Sequence, residues 1–350
     1  MGPASRIAAW QRQSGRHGLP WQSTRDPYRI WLSEVMLQQT QAATVVPYYQ
    51  RFLLEFPNVA TLANAPLDAV LRAWAGLGYY ARARNLHRCA QTIRDHHHGQ
   101  FPVSAAALSE LPGIGASTAA AIAAFSFGER AAILDGNVRR VLARYYALDG
   151  DPTSAAATRQ LWTWAQAWLD QAPVDLDMGA YTQGQMDLGA TVCTRSAPDC
   201  PHCPLFDTCE ARRQGRQQEL PHPRARRAQP ERRCHILLAE CGDTLLLQHR
   251  PPQGVWGGLW SLPQFDTDHE LQDFCRHGGP PQALQPMAAF EHVFTHFRLH
   301  LQPWHLQTEQ WMPSGEQGEH AWVGATQLAE LGMPAPISRL LESFYVSRCG

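Results

Sequence analysis

A glycine hairpin and two carboxylates carry the first chemical signal in this chain. Residues 111–115 read Leu-Pro-Gly-Ile-Gly and lead into an alanine-rich helical run that opens with Ser117. Successive amides of a Gly-x-Gly turn, backed by a helix N-terminus, form a nest for an anion such as a phosphate. Glycine belongs where the chain takes positive φ or comes close to that anion. Asp135 lies twenty positions beyond Gly115, at the head of the helical run 136–142. A carboxylate there can cap the helix. It can also stabilise positive charge on a sugar, the electrostatic logic of glycosidic cleavage. Glu34 stands in Trp31-Leu32-Ser33-Glu34-Val35-Met36-Leu37, on a predicted helix. Among apolar neighbours a carboxyl is raised in pKa and becomes an acid near neutral pH. The plainer reading is a solvent-facing glutamate.

Three further groups have chemical content. Gln38-Gln39-Thr40-Gln41 is polar and uncharged, suited to bases and phosphates. Gly76-Leu77-Gly78-Tyr79-Tyr80-Ala81-Arg82-Ala83-Arg84 offers an aromatic wedge beside two cations, or else two packed tyrosines. Cys193, Cys200, Cys203 and Cys209 are spaced C-x6-C-x2-C-x5-C. Four thiolates that close together imply a metal or a cluster, and the spacing alone leaves zinc and iron–sulfur open. The other five cysteines lack ligand spacing and read as small inert thiols.

The elements that must position these groups divide in two. Residues 5–210 repeat apolar positions at three and four, as in Leu67, Val70, Leu71 and Trp74, and read as helices of ordinary length. The stretch 211–233 is rich in Arg, Gln and Pro and reads as a linker. From Cys234 the texture is mixed α/β. Runs 235–239 and 244–248 flank a Cys-Gly-Asp turn, further strands fall within 290–306 and 320–324, and a helix covers 336–346.

Composition sets the outer bounds. The 350 residues, 44% hydrophobic, suit two domains that each bury a core. No apolar run is long enough to span a membrane, and the first residues lack a signal-peptide pattern, so an intracellular, cytoplasmic protein is expected. Residues 1–233 hold 25 arginines against 19 acids, and residues 234–350 hold 5 against 12. The positive part suits a polyanion. All 30 basic residues are arginine, so no side chain can form a Schiff base.

Taken together, the strings 31–41, 76–85 and 134–138 and the four cysteines resemble the helix–hairpin–helix DNA glycosylase superfamily. Within it they resemble the MutY-type adenine DNA glycosylases over nearly the whole chain. The resemblance implies a multidomain fold. An all-α glycosylase domain (1–210) would carry an iron–sulfur loop (193–209), followed by a linker (211–233) and a nudix-like α+β domain (234–350).

The implied activity is hydrolytic removal of adenine mispaired with 8-oxoguanine or guanine in duplex DNA, in base excision repair. A monomer working on double-stranded DNA is expected. Glu34 matches the general acid, Asp135 the carboxylate that stabilises the sugar cation, and Asn137 its support. Gln39 and Tyr79 match the wedge beside 8-oxoguanine. Trp21, Leu37 and Gln183 match the adenine pocket. Leu111, Gly113, Gly115 and Ser117 fall in the DNA-gripping hairpin. The four cysteines match ligands of a [4Fe–4S] cluster, and Thr295 and His296 match the 8-oxoguanine recognition loop.

Ser117 stands where endonuclease III-like relatives carry a catalytic lysine. The alternative, a bifunctional glycosylase/lyase on damaged pyrimidines, is disfavoured by the lysine-free sequence. Residues 265–271 lack the glutamate-rich helix of a nudix hydrolase, so the second domain is expected to be non-hydrolytic.

Overall fold

The structure, a computed structural model, describes residues 1–222, 229–277, 284–309, 319–328 and 330–349. The expected linker therefore falls partly outside the described residues, at 223–228. By internal contact the chain forms two compact units. One is Met1–Asn64 with Asn85–Arg226; the other is Ala65–Arg84 with Arg227–Gly350. The segment 65–84, expected within the helical domain, thus packs with the C-terminal unit. Its Tyr80 hydroxyl donates to the Met333 carbonyl at 3.3 Å, and Arg84 Nη1 donates to the Gly257 carbonyl at 2.7 Å.

The first unit is helical, as the three- and four-residue apolar spacing requires. Asp26 caps the helix Pro27–Leu37 by accepting the Tyr28 N–H at 3.0 Å, with proline at the first position, where its missing N–H costs nothing. The helix Ala116–Phe127 ends at Gly128, whose φ of +72° gives a left-handed cap. Ala119 to Ala124 on it are all buried, and small side chains let neighbouring helices approach closely. The core joins Ala120 and Ala121 to Ile7, Val138, Leu142, Leu161, Trp168, Tyr181 and Leu188. That packing holds the N-terminus of the helix Gly136–Tyr145, and so Asp135, in place.

In the second unit eight described strands form one mixed sheet. The strand Glu231–Cys241 pairs antiparallel with Thr244–His249 through the expected tight turn, in the register Cys241↔Thr244. It begins earlier than expected, inside the linker. Along its length it runs parallel to Arg298–Thr308, which takes up part of the expected 290–306 strand; the rest is Phe290–Val293, turned back antiparallel by the loop 294–297. Helices Asp268–His277 and Ala335–Cys349 accompany the sheet. Leu237, Ala239, Leu246, Leu271 and Leu306 form a core. No described helix is long and apolar enough to cross a membrane.

Candidate active site

Glu34 opens on a cavity of about 460 Å³ in the helical unit, shared with Trp21, Ser33, Ser126 and Gln183. Leu37, expected beside them, does not line it. Burial first, and then the negative charge of Asp135, together push the Glu34 carboxyl up to about 8. At neutral pH this group therefore holds its proton. Trp21 is fixed edge-on against Tyr49, with ring centres 5.4 Å apart. Gln183 Nε2 donates to Asp187 Oδ1 at 2.9 Å. Asp187 is fully buried and also accepts the Arg16 backbone N–H at 2.9 Å and Arg16 Nε at 2.7 Å.

Asp135 is held by its helix. Its Oδ1 accepts the Val138 N–H at 2.7 Å, and its Oδ2 accepts Asn137 Nδ2 at 3.2 Å. Burial raises its pKa, while these donors and the Arg140 charge pull the other way. The carboxylate is thus partly satisfied within the protein before any substrate arrives. Ser117 Oγ accepts the Leu134 N–H at 3.0 Å and pins the segment entering Asp135.

In the hairpin, Leu111 accepts the Ile114 N–H at 3.2 Å. Gly113 has φ +77°, and a β-carbon there would meet Asn85 Cβ at 2.6 Å, so only glycine fits. Gly115 departs from the expectation of strained glycines: its φ is −85°, and a β-carbon would meet nothing within 4 Å. Its small size leaves the helix N-terminus open to an approaching group.

The cysteine loop follows a helix of π form, Leu188–Val192. All four thiols line one cavity, with Arg144 and Arg212. No three acidic, histidine or cysteine side chains among the described residues converge as they would on a single metal ion. A cluster needs the other arrangement, one thiolate per iron around a central space. Cys200, Cys203 and Cys209 are raised in pKa by burial, so these thiols stay protonated unless a metal ionises them. Arg144 is buried and donates to Cys193 Sγ at 3.3 Å, Thr194 O at 2.6 Å, Arg195 O at 3.0 Å and Leu220 O at 2.7 Å. The donor set and its charge fit a cluster.

Arg140 was not singled out from the sequence. Its Nη2 donates to Asn137 Oδ1 at 2.9 Å and Gly189 O at 2.6 Å, and its Nε donates to the Cys193 carbonyl at 2.8 Å. One guanidinium thus ties the residue beside Asp135 to the first cysteine. The available signal was spacing: Asn137, Arg140 and Arg144 repeat at three and four along one helix face.

In the second unit, Tyr79 is 48% exposed and its hydroxyl bonds Thr295 Oγ1 at 3.0 Å. The loop that carries Thr295 is closed by the Phe294 N–H donating to the Phe297 carbonyl at 2.9 Å. His296 is exposed. Trp256 packs on His292 and Phe294 at 6.0 and 5.9 Å between ring centres. Gln39, in the first unit, is exposed with φ +59°.

Residues 32–167 match the model of the HhH-GPD superfamily of base excision DNA repair proteins, and residues 234–343 match a NUDIX domain. An adenine DNA glycosylase of Buchnera aphidicola is 32% identical over 96% of this chain and 94% of its own length. The mouse adenine DNA glycosylase is 32% identical over 99% of this chain and 78% of its own. A solved thermostable thymine-DNA glycosylase is similar over 60% of this chain and 95% of its own, at 27% identity and TM-score 0.54. An endonuclease III bound to DNA shares the helical fold, at 21% identity and TM-score 0.50 over 61% of this chain and 94% of its own. The chain is a DNA glycosylase, and it belongs to the adenine DNA glycosylase family.

Proposed function

We propose that this enzyme removes adenine mispaired with 8-oxoguanine or guanine from duplex DNA by hydrolysis and leaves an abasic site without cutting the strand. One observation carries the reading: Glu34, protonated at neutral pH, opens on a cavity beside Trp21 and Gln183 while the charge of Asp135 acts on it. Adenine leaves the stack and enters that cavity, at a cost the mismatch reduces. Glu34 donates its proton to adenine N7, and the bond between N9 and C1′ breaks with its electrons going to the base. The sugar cation gathers charge that Asp135, oriented by Val138 and Asn137, offsets. Water then attacks C1′ and returns a proton to the Glu34 carboxylate.

The hairpin 111–115 and Ser117 hold the DNA backbone near the reacting sugar. Tyr79 and the loop bearing Thr295 and His296 read the base opposite adenine, and Gln39 contacts the DNA. Cys193, Cys200, Cys203 and Cys209 hold a [4Fe–4S] cluster, which orders the loop 193–209. The absence of lysine from the sequence supports a monofunctional reaction, because a lyase needs an amine to form a Schiff base at C1′.

Single-turnover release of adenine opposite 8-oxoguanine, guanine and thymine, read with and without alkali, tests the reading. Strand breaks should appear only after alkali, and only with the first two partners. Breaks without alkali, with a borohydride-trapped adduct, would replace it with the lyase alternative.

A further inference from the structure

The turn that presents Tyr79 is wound left-handed at three positions. Gly76 has φ +97°, Gly78 φ +72° and Tyr79 φ +51°. Glycine adopts this freely, but a tyrosine there crowds its β-carbon against the backbone. Such a conformation persists only where its surroundings over-determine it.

Arg82 supplies the constraint. Its Nη2 donates to the carbonyls of Leu77 and Gly78, each at 3.2 Å. Its backbone N–H donates to the Tyr79 carbonyl at 2.8 Å. Trp74 Nε1 adds a second donor to Gly78 O at 3.2 Å. The guanidinium carbon lies 5.4 Å from the ring centres of both Trp74 and Tyr79, within cation–π range. At 8% exposure, Arg82 is spent on this turn rather than on solvent. Tyr79 is thereby held twice, by the cation beside its ring and by Thr295 at its hydroxyl.

We infer that Arg82 is a positioning residue that sets the Tyr79 ring for readout of the base opposite adenine. The inference rests on the role proposed above for Tyr79. One amino group, Nη2, donates to two successive carbonyls while the planar guanidinium that carries it lies beside two rings, a combination specific to arginine. Lysine keeps the charge and loses the plane.

The test is the ratio of single-turnover rates on duplexes with adenine opposite 8-oxoguanine and opposite guanine. A ratio cancels any loss of folded enzyme. Arg82→Met should lower it by about tenfold, equivalent to about 1.4 kcal/mol. Arg82→Lys should fall between Arg82→Met and the wild type. Adding Arg82→Met to Tyr79→Leu should do no further harm, since both act through one ring. An unchanged ratio in Arg82→Met, with the ratio lost in Tyr79→Leu, overturns the inference and leaves the role of Tyr79 standing. An unchanged ratio in Tyr79→Leu overturns that role and the inference with it. Should Arg82→Met not fold, a wild-type ratio in Arg82→Lys overturns the inference.

Discussion

The Ser117 hydroxyl accepts the backbone N–H of Leu134 at 3.0 Å, one residue before Asp135. The first turn of the helix after the hairpin is used here to fix the segment entering a carboxylate. Ser117→Ala leaves that amide without its partner in a part-buried place, at a cost of about 1–3 kcal/mol. Urea denaturation should show that loss, and single-turnover adenine release should slow. Ser117→Thr, which keeps the hydroxyl, should retain most of both. Wild-type stability and rate in Ser117→Ala would remove this role.

The Glu34 carboxyl, pushed up to about 8 by burial and then by Asp135, gives a pH dependence with a defined sign. The proton donor is present below that value, so adenine release should fall as pH rises through about 8. The same shift acts on stability. Between the ordinary carboxylate range and about 8 the folded state binds more protons than the unfolded, so this group's contribution is lost as pH rises. Glu34→Gln should therefore abolish adenine release, preserve duplex binding and melt higher than wild type above pH 8. Substantial release by Glu34→Gln would sink the proposed mechanism.

Much of this site was legible in the sequence, because its residues sit at positions with a local signature. Asp135 starts a helix, Gly113 makes a turn, and Glu34 lies in an apolar helical run. Local pattern did not reveal what depends on tertiary approach. Leu37 misses the cavity although it is on the same helix as Glu34: the helix lines it with Ile30, Ser33 and Glu34, and its last turn lies beyond the cavity. Asp187 reads as an ordinary helix acid until Arg16 and Gln183 meet on it. The segment 65–84 reads as more of the helical unit, since its contacts with residues 257 and 333 are remote in sequence. In the second unit, the turn at 242 was visible, whereas the long parallel pairing of 231–241 with 298–308 was not, because no short-range pattern encodes it.

Arg144 puts a buried cation against Cys193 Sγ and three carbonyls of the cysteine loop and the chain beyond it. Arg144→Met removes the charge and leaves those acceptors without donors. A loss of about 3–5 kcal/mol is expected for breaking such a buried network. Iron content and visible absorbance of the purified variant should fall together with its melting temperature. Arg212→Met keeps its neighbours' hydrogen bonds and removes only a cation stacked 3.7 Å from the Phe206 ring, so its effect should be smaller. Equal effects of the two variants would show that the network around Arg144 is not what holds the loop.

Asp187 offers the sharpest separation between holding the pocket and doing the chemistry. It is fully buried, and its two oxygens accept from Arg16 twice and from Gln183 once. Asp187→Asn preserves the shape, removes the charge opposite Arg16 and turns one acceptor into a donor facing donors. A buried pair broken on one side costs about 3–5 kcal/mol, softened here because Arg16 is partly exposed. The melting temperature should fall and adenine release should slow, through a displaced Gln183 rather than a changed acid. The fall of rate with pH should therefore keep its midpoint near that of wild type, because Glu34 is untouched. A shifted midpoint in Asp187→Asn would mean that Asp187 acts on the proton of Glu34 and not through Gln183.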